Sequence, residues 1–355
     1  MREEEGVGKH ALLLVTCKTT DHVVGYVEVR LRSAGVAWGA RGVRHVARPA
    51  IIMPESFKHQ AVPATDVFKP DLFKGKVVLV TGGGSGICYG ITETLMKLGA
   101  RAAIVGRKAE RLREAAAKLS RDTGSEAIAT PGDVRKFDMM EEVVKQTVAK
   151  FGKIDMVVCG AAGNFMAPLE GLSSNAFRTV IEIDLLGTYN TVRATASEIK
   201  KSHGSYIHIS ATLHYSGLPW QAAPSAAKAG IDVLSNVIAV EWGPMGVRSN
   251  CVAPGLIAGT EGAERLVPKG SEDMVNGFIP LQRIGQRSDI ANTCVFLFSD
   301  AANWINGQVL VRNSEILTVQ AVDGGHMHFR GPWLPYPNSS LDPASFKGLF
   351  PGLRL

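Results

Sequence analysis

The sequence predicts an α/β fold: a single doubly wound domain of the Rossmann type with a mostly parallel seven-stranded sheet. From Lys74 onward, short apolar runs alternate with longer helical patterns, as expected for parallel strands joined by crossover helices. The first of these runs, Val77–Thr81, leads directly into a glycine-rich turn. In folds of this class such a turn binds a phosphate group.

Six strands are predicted from apolar runs of four or five residues that are bounded by turn residues. They lie at 77–81, 102–105, 127–131, 156–159, 206–209 and 248–252. After the helix that follows the glycine-rich turn, further helical patterns cover 108–120, 139–151, 175–200 and 224–242. Each strand is therefore followed by a helix that can cross over to the next strand.

The seventh strand is predicted in two halves, 307–311 and 322–325, which are separated by about ten residues. A buried strand cannot take up so many residues in register. Either the intervening segment loops out, or 316–322 replaces the first half. Because valine codons begin with GT and glutamine codons can end with AG, a retained short intron at 311–320 is a further hypothesis.

The domain is expected to cover 76–325, with an insertion near 311–321, an N-terminal arm at 53–75 and a C-terminal tail at 326–355. Residues 1–52 are interpreted as an unstructured extension or as upstream sequence, with Met53 as the natural start. The alternative is a mitochondrial transit peptide, because five arginines and no acidic residue lie between Arg30 and Arg48.

The composition is that of a globular enzyme that needs neither disulfides nor metals for its core: 45% of the residues are hydrophobic and 20% are charged. The net charge of +6 comes without any nucleic-acid-binding motif, so an anionic small ligand is the better explanation. No apolar run approaches the roughly 20 residues that span a bilayer. His326 and His328 have no further ligand at a suitable spacing. We therefore expect no nucleic acid, membrane or metal partner.

The glycine-rich turn is predicted to bind the pyrophosphate of a dinucleotide, because its backbone can approach closely and a helix N-terminus follows. Its candidate residues are Gly82, Gly83, Gly84, Ser85, Gly86 and Ile87. The second strand leads to Arg107 and Lys108, where an NAD enzyme usually has an acidic residue. A guanidinium group matches a 2′-phosphate, so NADPH is favoured. Asp133, after the third strand, could accept a hydrogen bond from the adenine amino group.

Taken together, these motifs resemble the short-chain dehydrogenase/reductase family. The matching positions are 81–87, 132–134, 160–163, Lys228 and 254–255, within a region that spans roughly 72–311 and 322–325. The resemblance implies further cofactor contacts from Val134, Ala161, Gly163, Lys228, Pro254, Gly255, Ile257 and Thr260.

The departures from the family pattern indicate the chemistry. Pro224 stands where the family has its catalytic Tyr, four residues before Lys228, and proline cannot donate a proton. The family's Ser falls at or beside Ala211, and its Asn is replaced by Asp184. Without the Tyr, reduction of a ketone lacks its general acid. In this respect the chain resembles the 2,4-dienoyl-CoA reductases of the family, in particular their peroxisomal form.

This resemblance implies NADPH-dependent reduction of a 2,4-dienoyl-CoA to a 3-enoyl-CoA in the β-oxidation of unsaturated fatty acids. Asp184 would supply the α-proton through water, Lys228 would hold the nicotinamide ribose, and Asn164 would face the thioester oxygen. The expected substrate contacts are Arg135, Phe165, Ser173, Ser174, Asn175 and Arg265. The alternatives are another NADPH-dependent reductase of enoyl or oxoacyl thioesters, or an inactive binding subunit.

Two further expectations concern assembly and location. The resemblance implies a homo-oligomer, either a dimer or a tetramer. The chain ends in Leu353, Arg354 and Leu355, which matches two positions of a Ser-Lys-Leu peroxisomal signal. We therefore expect a peroxisomal enzyme, with the mitochondrion or cytoplasm as alternatives.

Overall fold

The computed structural model describes residues 12–17, 27–32, 62–216, 220–260 and 283–312. The chain divides into two units, Met1–Pro54 and Glu55–Leu355. In the first, strands β1 (Leu12–Cys17) and β2 (Val27–Arg32) pair antiparallel. An extension without regular structure was the expectation there. However, apolar residues alternate with charged ones in 27–32, and that period is typical of a strand.

The second unit contains a seven-stranded sheet in which every pairing is parallel. This confirms the predicted fold class. The order across the sheet is β5-β4-β3-β6-β7-β8-β9. The strands are β3 (Val77–Thr81), β4 (Arg101–Gly106), β5 (Ala127–Pro131), β6 (Met156–Cys159), β7 (Ser205–Ile209), β8 (Arg248–Pro254) and β9 (Val309–Arg312).

Helices cover both faces of the sheet, because side chains on each strand alternate between the two faces. Val78 and Val80 belong to one buried cluster and Leu79 to the other. The helices are α1 (Gly86–Lys97), α2 (Ala109–Thr123), α3 (Phe137–Phe151), α4 (Ser174–Ile181), α5 (Gly187–Ser202), α6 (Leu213–Ser216), α7 (Ala222–Trp242) and α8 (Arg287–Phe298).

The stretch predicted as one helix at 175–200 is divided in the structure. A π-helical turn, Glu182–Leu186, separates α4 from α5. The chain is helical throughout from Ser174 to Ser202, which confirms the predicted helical stretch. The π turn was not predicted, because a hydrophobic pattern with a uniform period of 3.6 residues does not report an inserted residue. Such turns are rare and often occur at functional sites.

The last strand forms from the first of its two predicted halves. Cys251 pairs with Val309 and Pro254 with Arg312, so 316–322 does not replace this half. Residues from 313 onward, including the second half at 322–325 and the tail with His326 and His328, lie outside the described residues.

Candidate active site

A cleft opens at the carboxyl ends of β3, β4, β5 and β6. From β3 the chain continues outward to β4 and β5 and then returns to place β6 on the other side of β3. Ligands of doubly wound sheets bind at this kind of reversal in strand order. The cleft is lined by residues that follow these four strands and by one residue of the π turn: Gly82, Gly84, Ser85, Val105, Gly106, Arg107, Lys108, Arg111, Leu112, Gly132, Asp133, Val134, Ala161, Ala162 and Ile183.

The glycine-rich turn has the shape that a phosphate site requires. Gly82 has a φ of 72°, and a Cβ there would lie 2.9 Å from the carbonyl oxygen of Gly160. Ser85 precedes the first residue of α1 but makes no side-chain capping bond. The N-terminus of α1 therefore presents backbone N–H groups toward the cleft without a cap from that side chain.

Cys88 stands where the family turn has its last glycine, and the structure shows how the extra side chain fits. Its sulfur occupies the space above Gly160, where a Cβ would lie only 2.1 Å from Cys88 Sγ. Burial raises the pKa of the Cys88 thiol to about 12, with a smaller opposing effect from Lys228. The thiol therefore remains protonated and serves in packing between α1 and β6.

Three basic residues line the side of the cleft that is formed by the end of β4 and the start of α2. Arg107 and Lys108 follow β4, and Arg111 lies in the first turn of α2. Arg111 was not predicted from the sequence, and the first turn of α2 brings it to the cleft. The described lining contains one carboxylate, Asp133.

Asp133 is already paired with a cation. Arg135 Nε lies 3.0 Å from each carboxylate oxygen of Asp133. The hydrogen bond from Arg135 holds the pKa of Asp133 below its usual value, against the opposing effect of burial. The net field of the lining is therefore positive, which suits a phosphate. In this structure Arg135, expected at the substrate, contacts Asp133 of the cofactor cleft.

A buried ion pair lies beside the cleft. Asp184, in the π turn, is 1% exposed, and its Oδ2 lies 3.1 Å from Lys228 Nζ. Its Oδ1 accepts a hydrogen bond of 2.7 Å from the backbone N–H of Gly163. Lys228 also donates to the carbonyl oxygen of Ile209, at 3.0 Å. Because β6, β7, α7 and the π turn all contribute, the carboxylate and the ammonium group are held in fixed positions.

Pro224 lies in the first turn of α7, where a missing N–H costs the helix no hydrogen bond. At the end of β7, Ser210 is buried, and its side-chain oxygen lacks a hydrogen-bond partner among the described residues. Ala211 follows it without any hydroxyl group. Proton donation by Tyr at the family position is thus absent. Lys228, one helical turn beyond Pro224 in α7, is paired with Asp184.

Asn164 belongs to a pair of amide side chains. Its Nδ2 donates to Oε1 of Gln221 at 3.0 Å, and Gln221 is 4% exposed. Gln221 precedes α7 but does not cap it with its side chain. Gln221 was not predicted as a site residue from the sequence. The available signal was a glutamine beside a helix start, where Ser, Thr, Asp or Asn would be usual.

The other expected residues are distributed around this centre. Four of them lie at the carboxyl end of β8, at the same edge of the sheet: Pro254, Gly255, Ile257 and Thr260. Thr260 Oγ1 donates to Ile257 O at 2.8 Å. Ser173 caps α4 by accepting from Ala176 N, and Ser174 and Asn175 begin that helix. Phe165 is exposed. Gly83, Gly86, Ile87 and Gly163 flank the cleft without lining it. Arg265 lies outside the described residues.

No helix in the described part of the chain is both long and apolar enough to cross a membrane. Within the same residues, no three His, Cys, Asp or Glu side chains come together as metal ligands would.

The doubly wound sheet, the glycine-rich turn and the basic cleft define an oxidoreductase that binds a nicotinamide dinucleotide. A family model described as enoyl-(acyl carrier protein) reductase matches residues 82–314. The chain is 50% identical over 264 residues to a peroxisomal 2,4-dienoyl-CoA reductase of Saccharomyces cerevisiae, covering 74% of this chain and 87% of that protein. The corresponding Danio rerio enzyme is 42% identical over 262 residues, covering 73% and 87%.

Among solved structures, the citronellol catabolism dehydrogenase of Pseudomonas aeruginosa matches with a TM-score of 0.61 and 34% identity, covering 69% of this chain and 96% of that chain. The chain belongs to the short-chain dehydrogenase/reductase family. The family resemblance inferred from the sequence motifs is thereby confirmed.

Proposed function

We propose that this protein reduces 2,4-dienoyl-CoA thioesters to 3-enoyl-CoA with NADPH. The observation that carries the proposal is the buried pair of Asp184 and Lys228 beside a position where Pro224 replaces the usual proton donor. Reduction of a carbon–carbon double bond does not need an acid at a carbonyl oxygen. The relatives named above, which are called dienoyl-CoA reductases, support the same assignment.

The cleft fits NADPH better than NADH. Arg107, Lys108 and Arg111 stand where a 2′-phosphate would lie, and the carboxylate of Asp133 is neutralised by Arg135. An NAD enzyme would have an acidic residue after β4 to bind the ribose hydroxyl. Lys228 donates a hydrogen bond to Ile209 O and forms an ion pair with Asp184, and an ammonium group has three N–H donors, so it can also donate to a ribose hydroxyl.

When bound, NADPH supplies the hydride that reaches the δ-carbon of the conjugated thioester. The displaced electron pair moves toward the thioester oxygen, where Asn164 can offer its second amide proton. Asp184 in its protonated form provides the proton for the α-carbon through water, and it is left as the carboxylate that pairs with Lys228, which keeps it in position. The double bond then lies between the β- and γ-carbons, as in a 3-enoyl-CoA.

Two other functions remain to be distinguished: reduction of a different enoyl or oxoacyl thioester, and an inactive binding subunit. The test is to follow NADPH oxidation with a 2,4-dienoyl-CoA and, separately, with a 3-oxoacyl-CoA and a 2-enoyl-CoA. We expect turnover with the dienoyl-CoA alone, and a 3-enoyl product by NMR. Turnover with the 3-oxoacyl-CoA instead would refute the proposal, and binding of NADPH without any turnover would favour the inactive subunit.

We further propose that the protein is a homo-oligomer. The π turn that precedes α5 contacts α7 at Leu185 and Gly230, and α5 and α7 both expose apolar side chains. Tyr189 is 45% exposed, Val233 62% and Val237 45%. Exposed apolar side chains one helical turn apart form a stripe suited to a second copy.

For location, we propose import into peroxisomes. The C-terminal Arg354 and Leu355 fit a receptor-read signal, and the yeast and zebrafish relatives are named as peroxisomal. A fluorescent protein placed at the N-terminus should accumulate in peroxisomes, whereas one placed after Leu355 should leave the fusion in the cytosol. Mitochondrial accumulation of the second fusion would instead favour a signal within 30–48.

A further inference from the structure

Trp220 has a backbone conformation that is unfavourable for its side chain. Its φ is 64°, and among the described residues His203 is the other non-glycine residue with positive φ. A bulky residue rarely adopts this left-handed region, because its Cβ approaches the backbone. Such strained positions cluster at functional sites, which indicates a functional role for the Trp220 side chain.

Hydrogen bonds place Trp220 beside the reaction centre. The backbone N–H of Ala167 donates to Trp220 O at 3.3 Å, and the adjacent Gln221 accepts from Asn164. Gly163, next to Asn164, donates to the carboxylate of Asp184. The segment after β6 and the start of α7 are therefore joined at the point where the buried ion pair lies.

Three exposed apolar side chains lie in the two segments joined at this junction, Trp220, Phe165 and Met166, and together they are called the apolar patch. They are 57%, 47% and 41% exposed, respectively. No charged residue occurs in 164–169 or in 215–227, the sequence stretches that carry these side chains. An exposed apolar patch next to a reaction centre is typical of a ligand-binding surface.

We propose that this patch binds the apolar acyl chain of the substrate beyond its conjugated system, and that Trp220 sets the preference for chain length. The inference rests on the proposed function, which supplies a substrate with a long apolar chain next to a polar reacting group. Phe165 was expected at the substrate from the sequence, whereas Trp220 and Met166 are assigned by the structure. A glycine at this positive φ would relieve the backbone strain but would remove the contact surface that Trp220 supplies.

The test compares Trp220→Gly with Trp220→Phe and with Trp304→Gly, which removes an exposed tryptophan at the opposite end of the strands. Glycine suits positive φ, so we expect Trp220→Gly to unfold at the wild-type temperature or above. Its kcat/KM for decadienoyl-CoA should fall about tenfold, the effect of losing a few methylene contacts, with little change for hexadienoyl-CoA. Trp220→Phe should recover most of this loss, and Trp304→Gly should retain the wild-type ratio.

A second measurement separates this inference from the proposed function. Binding of saturated hexanoyl-CoA and decanoyl-CoA is measured by calorimetry, without any turnover. Suppose that the wild-type protein turns over dienoyl-CoA and that Trp220→Gly still binds decanoyl-CoA more tightly than hexanoyl-CoA by the wild-type factor. The inference about Trp220 is then wrong, while the proposed function is supported. If Trp220→Gly loses the tighter binding of decanoyl-CoA, but neither the wild-type protein nor any variant turns over dienoyl-CoA, the acyl-binding role of the patch is supported and the proposed function is wrong. A change of oligomeric state with unchanged chain-length preference would make the patch a subunit contact and overturn the inference.

Discussion

Cys88 Sγ lies where a side chain on Gly160 would have to be, 2.1 Å from the position of a Cβ on that glycine. The two residues come from α1 and from the segment after β6, and Gly160 lies next to Gly82 of the dinucleotide cleft. The side chain at each of these two positions therefore limits the size of the side chain that fits at the other.

This relationship predicts a compensating pair of substitutions. Gly160→Ala should lower the free energy of unfolding by about 1–3 kcal/mol, the usual cost of overpacking. Combined with Cys88→Ala, which removes the sulfur, the same change should cost much less. Urea unfolding of both single variants and the double variant measures this coupling. Gly171→Ala, whose Cβ would meet no atom closer than 3.9 Å, is the control, and additive effects would contradict the prediction.

Cofactor choice should depend on Arg107. Replacing it with Asp removes a cation from the cleft and adds a repulsive carboxylate, so KM for NADPH should rise more than tenfold while KM for NADH falls. Steady-state kinetics with both cofactors measure the shift. Arg113→Asp, at an arginine of α2 that is paired with Glu110, should retain the wild-type preference. Equal preference in both variants would show that the cleft does not bind the 2′-phosphate.

Asp184→Asn should separate proton supply from structure. Asparagine can still accept the hydrogen bond from Gly163, but it cannot supply a proton, so kcat should fall by about 10²–10⁴ with NADPH affinity nearly unchanged. Asp155→Asn changes another buried carboxylate, one that accepts from Val77 N at the other end of the strands. It should affect stability rather than kcat. Wild-type turnover in Asp184→Asn would assign Asp184 a structural role only.

Stability should decrease on mild acidification because of His208. Burial, with a smaller effect from Lys228, lowers the pKa of His208 to about 3 from an ordinary value of 6.5. Below pH 6.5 the unfolded chain therefore binds a proton that the folded chain excludes, and stability is lost as the pH falls toward 3. The unfolding temperature measured between pH 7 and pH 4 should fall less steeply in His208→Gln. His203→Asn, which replaces an exposed histidine, should show the same decrease of unfolding temperature between pH 7 and pH 4 as the wild-type protein.

The exposed stripe on α7 should carry the subunit contact. Val233→Glu combined with Val237→Glu introduces two like charges into an apolar contact, so the assembly should dissociate to smaller species in analytical ultracentrifugation. Val67→Glu, at a residue that is 66% exposed in the N-terminal arm, is the matched control. An unchanged sedimentation coefficient in the double variant would place the contact elsewhere.

Local patterns were sufficient for the parts of the site that lie close together in the chain. The glycine-rich turn, Arg107, Lys108 and Asp133 were all predicted, because each directly follows a strand whose apolar run is clear. The amide partner of Asn164 was not predicted, because Gln221 is 57 residues away. Arg111 was not predicted either, because it lies within α2 and does not directly follow a strand.

The sequence by itself determined the fold class, the dinucleotide turn and the loss of the usual proton donor, since each depends on residue type and on spacing within one strand–helix unit. The tertiary structure decided the pairing of Asp184 with Lys228, the packing of Cys88 over Gly160 and the strained placement of Trp220. These contacts join elements that are distant in the chain. The π turn that carries Asp184 and the parallel register of the strands set the distances between their side chains, and neither can be read from a local hydrophobic period.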